Sequence, residues 1–381
     1  MDIPSLFMIP SAVSSGKVHS VFPNSTDADF DFARSSTASR VNSDGLIETV
    51  ASGQARLNYE IEGGLVNTKP SLLLEPQSTN KLTTSNDFSS YSKSGTITVT
   101  SNYGISPTGE RNSTRVQFGG SNNSFYKLSV HSGNTESNSI YIKGISGETI
   151  KFGKGTTVNA GSTFTLNGEW QRIQYQSTTG NQFAINTYSS VTARDIEIFG
   201  AQIEEKSYAT SYIPTNGSTQ TRAAETCNGA GTSSILPSEE GILYAEISAL
   251  ATGSNHRYIS LSDGTANDRI IIRYVSGGTN QLGAFVRVGG VTQFGALKTM
   301  VITNNTKVAL RYKENDYALW INGVQEAVDT TGSVPSTIDR LKFEDATGGA
   351  YFYGKCKDIR VYNTKEMTDS EVDILLTKIT S

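Results

Sequence analysis

Serine-based nucleophilic catalysis needs a base, and the imidazoles available are His19, His131 and His256. None lies near a G-x-S-x-G turn of the kind that exposes a nucleophile, so each reads as a surface or turn histidine. No H-E-x-x-H run and no cluster of histidines with carboxylates occurs, which removes the common metallohydrolase patterns. Glycoside hydrolysis requires two carboxylates facing one bond, and alternate residues of a strand share a face. Glu314 and Asp316 have that spacing in ENDYALW but fall in an expected hairpin turn, where charged residues are ordinary. Glu371 and Asp373 have it in EVD, inside an expected helix and without a second glutamate beyond. GETIKFGKGTT approaches a phosphate loop, yet has one residue too many before its Gly-Lys and no Ser or Thr directly after the Lys. The expectation is a protein that is not an enzyme, with no catalytic residues to assign.

Binding chemistry has more to work with. Asp27, Asp29 and Asp31 in DADFD offer oxygens from one edge to a hard cation, so calcium is the one metal the pattern allows. A solvated, like-charged strand end is the plainer account, and no cofactor is otherwise expected. Saccharides are held by aromatic faces stacked on sugar rings, with amides and carboxylates fixing the hydroxyls. The ligand-binding candidates on that ground are Trp170, Tyr317, Trp320, Tyr351 and Tyr353. Trp320 follows a strand of alternating pattern and fits a core position equally well.

Composition narrows the partners. A formal charge of -4 and a pI near 5.6 provide no basic excess for phosphates, so neither nucleic acid nor an acidic membrane surface is expected as a partner. No window approaches 18 consecutive apolar residues, so no membrane insertion is expected. MDIPSLFMIP carries an acid where a secretion signal wants cations, and Pro4 and Pro10 interrupt a short apolar run, which points to synthesis in a cytoplasm. Cys227 and Cys356 lack zinc-site spacing and read as buried free thiols, with a single bridge as the alternative.

The elements that must position any site are strands. Hydrophobic residues make up 36%, charged residues 18%, and there are 36 glycines, a profile of short strands joined by polar turns. From 81 to 225 the segments GTITVTS, RVQFGG, FYKLSVH, SNSIYIKG, ETIKFGKG, NQFAINTY and RDIEIFGAQIEE alternate with period two, as in a jelly roll. TNGSTQTRAAETCNGAGTSS has the composition of a flexible connector and separates this domain from a second sandwich over 226–381. There Val308, Leu310 and Tyr312 can pair across a turn with Leu319 and Ile321, and Asn322-Gly323 supplies the next hairpin turn. MTDSEVDILLTKI predicts a closing helix, with Thr368 and Glu371 as a capping box before Val372, Leu375, Leu376 and Ile379. Residues 1–80 hold a hairpin signal at Asp44-Gly45 but few apolar residues, too few to close a core alone. They must pack on the chain's own downstream domains or on a neighbouring subunit. The fold class expected is all-β, with two antiparallel sandwiches, the first a jelly roll, behind an extended N-terminal arm and one short C-terminal helix.

Several stretches together resemble the structural proteins of tailed-bacteriophage virions, found on tail fibres, tail tips or capsid surfaces and ending in a concanavalin A-like or laminin G-like sandwich. They are IPSAVSSGKVHSVFP, DFARSSTASRVNSDGLIETVA, PSLLLEPQSTN, GAQIEEKSYATSYIPTNGSTQTRAAE, VALRYKENDYALWINGV and KDIRVYNTKEMTDSEVDILLT, in the same order along the chain. The resemblance implies a virion-surface protein, made in the host cytoplasm, whose 1–80 arm attaches it to other virion proteins or wraps a sister chain in a homo-oligomer, with a trimer as the family expectation. Residues 81–225 resemble a carbohydrate-binding-module jelly roll, which implies host cell-surface polysaccharide as a partner. A purely architectural subunit and a polysaccharide depolymerase are the alternatives. The resemblance gives no residue-level site.

Overall fold

The computed structural model describes residues 3–128, 134–154, 161–189, 192–253 and 255–381. Among them the alternating segments form antiparallel strands almost throughout, with one α-helix, Asp369–Thr380, at the C-terminal end. His131 lies outside the described residues.

The jelly roll faces two five-stranded sheets against each other. One runs in the order Ser92–Ser94, Ser124–Leu128, Gln182–Asn186, Thr149–Lys154, Ser162–Thr165, and the other Ile97–Thr100, Thr114–Phe118, Arg194–Glu204, Glu136–Gly144, Gln171–Ser177. Period-two alternation sends Val116, Phe118, Ile140, Ile142, Ile196 and Ile198 from the second sheet inward to meet Phe125, Phe152, Phe183 and Ile185 from the first.

The C-terminal sandwich is assembled from both ends of the chain. Its five-stranded sheet is Val291–Thr299, Gln281–Val288, Arg269–Tyr274, Arg257–Ser262, Arg340–Lys342. The opposing sheet runs Val324–Asp329, Asp316–Ile321, Thr306–Lys313, Glu240–Ala249, Gly354–Asn363, Ser71–Leu74, Arg56–Asn58. Leu6–Met8 also pairs with Gly354–Asn363, with Leu6 opposite Val361. The meander registers follow the alternation, Val308 with Ile321 and Leu310 with Leu319. Asn322 and Gly323 take φ of +47° and +80°, the left-handed pair a tight hairpin requires. Asn42 closes the Asp44-Gly45 hairpin by accepting from Gly45 N–H. Thr368 and Glu371 form the expected capping box, and Val372, Leu375, Leu376 and Ile379 bury against Ile242, Tyr244 and Tyr362. Cys227 and Cys356 are both free and buried in the sandwich core.

Two expectations are corrected. Residues 1–80 are not an extended arm ordered by other subunits. Leu6, Met8, Val18, Phe30, Phe32, Leu72 and Leu74 are buried in the core of the C-terminal sandwich, whose central strand has a free edge that Leu6–Met8 and Ser71–Leu74 complete. The shortage of apolar residues is real, and it is met within the chain. The stretch 215–234 is not a flexible connector either. Gln220–Arg222 pairs with Ser78–Asn80, Thr226–Asn228 pairs with Phe30–Ala33, and Arg222, Glu225 and Cys227 are buried. Its small polar residues resemble a linker in composition, but two charged side chains and a thiol anchor it.

Candidate functional site

Where the leading segment, the jelly roll and the last sandwich meet, buried ions tie them together. Arg56 grips Glu225 with Nε at 2.9 Å and with Nη2, and its Nη2 lies 2.8 Å from Glu75. Arg34 donates to Glu225 at 2.7 Å, and Arg222 lies 2.9 Å from Glu75 and donates to the Pro76 carbonyl at 2.6 Å. Ser211 N–H and Oγ–H complete the Glu75 shell at 2.8 and 2.6 Å. Burial alone would raise the Glu75 carboxyl, but Arg222 and Arg56 outweigh it and hold it at about 2. These carboxylates are saturated with donors, so they serve as structural clamps and have no free oxygen for acid–base work.

Beside this hub opens a cleft of about 560 Å³. In AYFY the alternation points Phe352 inward, stacked 6.0 Å from Tyr274, and leaves Tyr351 and Tyr353 on the outside with centroids 5.9 Å apart at 33°. Tyr208 and Lys206 enter from the loop after Arg194–Glu204, and Asn255, His256 and Arg257 from the start of Arg257–Ser262. The hub sets this spacing, because Pro76, held by Arg222, is part of the wall. His256 accepts from Ser276 N–H on Nδ1 at 3.1 Å. Burial and the Arg273 charge push its imidazole below the ordinary value, so the ring is neutral at pH 7 with its proton on Nε2. Burial and the Tyr351 phenol push Tyr353 up to about 12, so it keeps its hydroxyl proton. Flat aromatic faces, neutral donors and an amide in one concavity can stack a sugar ring and bond its hydroxyls.

Of the five aromatic candidates, the structure brings Tyr351 and Tyr353 together in this cleft. Trp170 lines a separate one of about 890 Å³ with Tyr59, Tyr141 and Arg172, and its Nε1–H donates to Ile105 O at 3.0 Å. There Glu60 pairs with Lys355 and Lys357, and Arg172 donates to Thr210 O and Ser139 Oγ. Tyr317 is no surface platform: it is 1% exposed, stacked on Phe294 at 5.5 Å, because its strand position faces the core. Trp320 is half-buried, packed against the cluster beneath the C-terminal helix. Glu314 and Asp316 flank the expected turn at Asn315, where Asp316 pairs with Arg311. Tyr208, Asn255 and Arg257 were not among the sequence candidates. The signal for Tyr208 stood inside KSYATSYIP, but nothing in that stretch says it lies beside Tyr351.

The three aspartates do not line one edge. Asp27 sits in a 3-10 turn, Asp31 pairs with Lys17 at 2.7 Å, and Asp29 is buried. No group of three or more metal-ligating side chains occurs among the described residues. Asp29 instead accepts from His19 Nδ1 at 2.8 Å, and His19 Nε2 lies 2.9 Å from Ser14 Oγ, the connectivity of a nucleophile, base and orienting acid. An acyl-transfer site also needs N–H groups converging on the developing oxyanion. The neighbouring amides are committed elsewhere: Gly16 N–H to Gly53 O, His19 N–H to Ala12 O and Ser20 N–H to Asp29. The trio therefore pins the N-terminal hairpin.

No family model matches the sequence. No curated protein matches it either. Among solved structures, the CBM40 of the Ruminococcus gnavus IT-sialidase bound to alpha2,3 sialyllactose is 15% identical, covering 39% of this chain and 93% of that one, with a TM-score of 0.31. The heptameric SAP-like pentraxin of Limulus polyphemus is 15% identical over 38% of this chain and 72% of its own, TM-score 0.29. A Bacillus licheniformis beta-glucanase is 14% identical over 37% and 72%, TM-score 0.29.

Proposed function

We propose that this chain is a non-enzymatic surface protein of a bacteriophage particle that displays its β-sandwiches to bind host-surface polysaccharide. The observation that carries the binding part is the cleft of Tyr208, Tyr351 and Tyr353 with Asn255 and His256. Its chemistry is that of a saccharide stacking site, and the nearest paired carboxylates are locked in ion pairs. The virion part rests on the sequence resemblance, whose quoted stretches contain the hub residues Arg34, Glu75, Arg222 and Glu225. Display in several copies, as a homo-oligomer held by other virion proteins, turns weak single sites into avid attachment without new contacts.

A panel of bacterial surface polysaccharides tests the binding part, with the full chain and a Tyr351→Ala/Tyr353→Ala variant. Retained glycan should fall about tenfold or more in the variant, as expected for loss of central aromatic anchors. Binding that survives both substitutions would place the site elsewhere. A purely architectural role is favoured by one feature, the Ile61–Val66 hairpin, where Leu65 is 76% exposed as if to meet another subunit. Electron microscopy of labelled particles, with a panel-silent protein at a fixed symmetric position, would support that second reading.

A further inference from the structure

We propose that the tyrosine-lined cleft takes an acidic saccharide, whose carboxylate is held on the Nε–Nη2 edge of Arg257; this rests on the cleft being the saccharide site described above. Arg257 lines the cleft and is 7% exposed. Its Nη1 donates to Ala251 O at 2.9 Å and its guanidinium lies 5.2 Å from the Tyr274 ring centre. Nε and Nη2 find no acceptor among the described residues. They are the two nitrogens on one side of the planar guanidinium, whose N–H bonds run parallel and match the two oxygens of a carboxylate.

Elsewhere in the chain four arginines hold a carboxylate on that edge, while Arg34 turns its own to the Ser36 and Ala51 carbonyls. Arg56 holds Glu225, Arg115 holds Asp195, Arg340 holds Asp339 and Arg360 holds Asp358, each through Nε and Nη2. Arg257 presents the edge without the acid. A buried cation lacking a counter-charge is unfavourable, and an incoming carboxylate relieves it. The cleft wall adds Lys206, which forms no ion pair among the described residues, and contains no Asp or Glu, although the chain as a whole carries a net -4. Both edge nitrogens are shielded from solvent, so ligand binding requires the guanidinium to turn toward the cleft. Once made there, a charge-assisted pair loses little to competing water. A neutral sugar has hydroxyls for the tyrosines but no charged acceptor for the fork. The ligand class is therefore a glycan bearing a uronate or another sugar carboxylate.

The test is calorimetry on the full chain with an oligogalacturonate and with its carboxyl-reduced counterpart of the same length. The acidic probe should bind at least about tenfold more tightly. Arg257→Lys keeps the charge but loses the fork, and should lose most of that preference while retaining the reduced probe. Gly253→Leu is the second variant: a Cβ there stands 3.4 Å from Nη2, so the added side chain crowds that edge while the arginine itself is retained. Equal affinity of the wild-type chain for both probes overturns the carboxylate assignment and leaves the saccharide site standing. So does a preference that persists in both variants. Binding of neither probe removes the saccharide reading of the cleft as well.

Discussion

Two sets of arginines divide this molecule. Arg34, Arg56 and Arg222 are buried at the junction of three sequence regions, and each meets Glu75 or Glu225. Arg257 is nearly as buried in the wall of the adjacent cleft, and no carboxylate meets it. Desolvation penalises all four, and only the first set has its charge balanced within the fold. Burial pushes Arg257 below the ordinary arginine value with only the Tyr208 and Tyr274 phenols to counter it. An arginine whose charge is balanced internally holds elements together, and one whose edge is free offers that edge to a ligand. The same residue type, in the same chain, is a clamp in one place and a candidate receptor in the other.

The largest effect should come from breaking the paired set. Glu225→Gln leaves Arg34 and Arg56 facing one carboxylate fewer in a site closed to water, and should destabilise the fold by about 3–5 kcal/mol in denaturant unfolding. A loss under about 1 kcal/mol would mean that the junction does not depend on these pairs, and the contrast with Arg257 would disappear.

Acid probes the same set. Glu75 binds its proton less readily when folded, at about 2 against the ordinary 4.5, so protons favour the unfolded chain. Its contribution, roughly 3 kcal/mol, is fully present above pH 4.5 and lost as pH falls from there through about 2. Unfolding free energy followed from pH 6 to 2 should drop across that window, and the drop should be shallower in Glu75→Gln. Parallel curves for the two proteins would show that Glu75 is not held down by its arginines.

The hub also explains what was legible in the sequence. Period-two alternation located the jelly-roll strands and the Val308–Ile321 meander, and the Thr368–Glu371 box with apolar residues at helical spacing located the helix, because those patterns are local and recur at fixed spacing. Charge pairing has no such period. Arg34 and Glu225 are 191 positions apart, so nothing near either residue names its partner. That is why residues 1–80 read as an arm: their apolar count is too low for a core, and the strand edge of Gly354–Asn363 that completes them lies at the far end of the chain. Likewise Tyr351 and Tyr353 were candidates as aromatics able to stack on sugar rings, while Tyr208 and Arg257 join them only through the fold. Tyr317 and Trp320 stand out as aromatics just as well, but Tyr317 is stacked on Phe294 and Trp320 packs against the cluster beneath the C-terminal helix. Alternation assigns sides of a strand and leaves open which side is covered.

A smaller effect is expected from the unpaired arginine, and its sign matters. Arg257→Met removes a buried charge without stranding a charged partner, giving up only the hydrogen bond to Ala251 O, so stability should stay within about 1 kcal/mol of the parent or rise. A loss above about 2 kcal/mol would reveal an internal acceptor for that edge, and the parallel between Arg257 and the carboxylate-holding arginines would end there.

The smallest effect should be at Ser14, and it extends the distinction between spent and available groups to the Ser14–His19–Asp29 chain. Ser14, His19 and Asp29 have the connectivity of an acyl-transfer trio, but Asp29 also anchors Ser20 N–H, and the amides around the hairpin already have carbonyl acceptors. A serine can be deprotonated by such a histidine, yet without N–H donors for the oxyanion the tetrahedral species gains little stabilisation, a deficit of about 10²–10³ in rate per missing donor. Ser14→Ala, at an exposed position, should therefore change stability by less than about 0.5 kcal/mol, and the parent should resist a fluorophosphonate reagent. Stoichiometric labelling at Ser14 that disappears in His19→Gln would show that the trio is an active site, and that connectivity alone, without a visible oxyanion cradle, was the better guide.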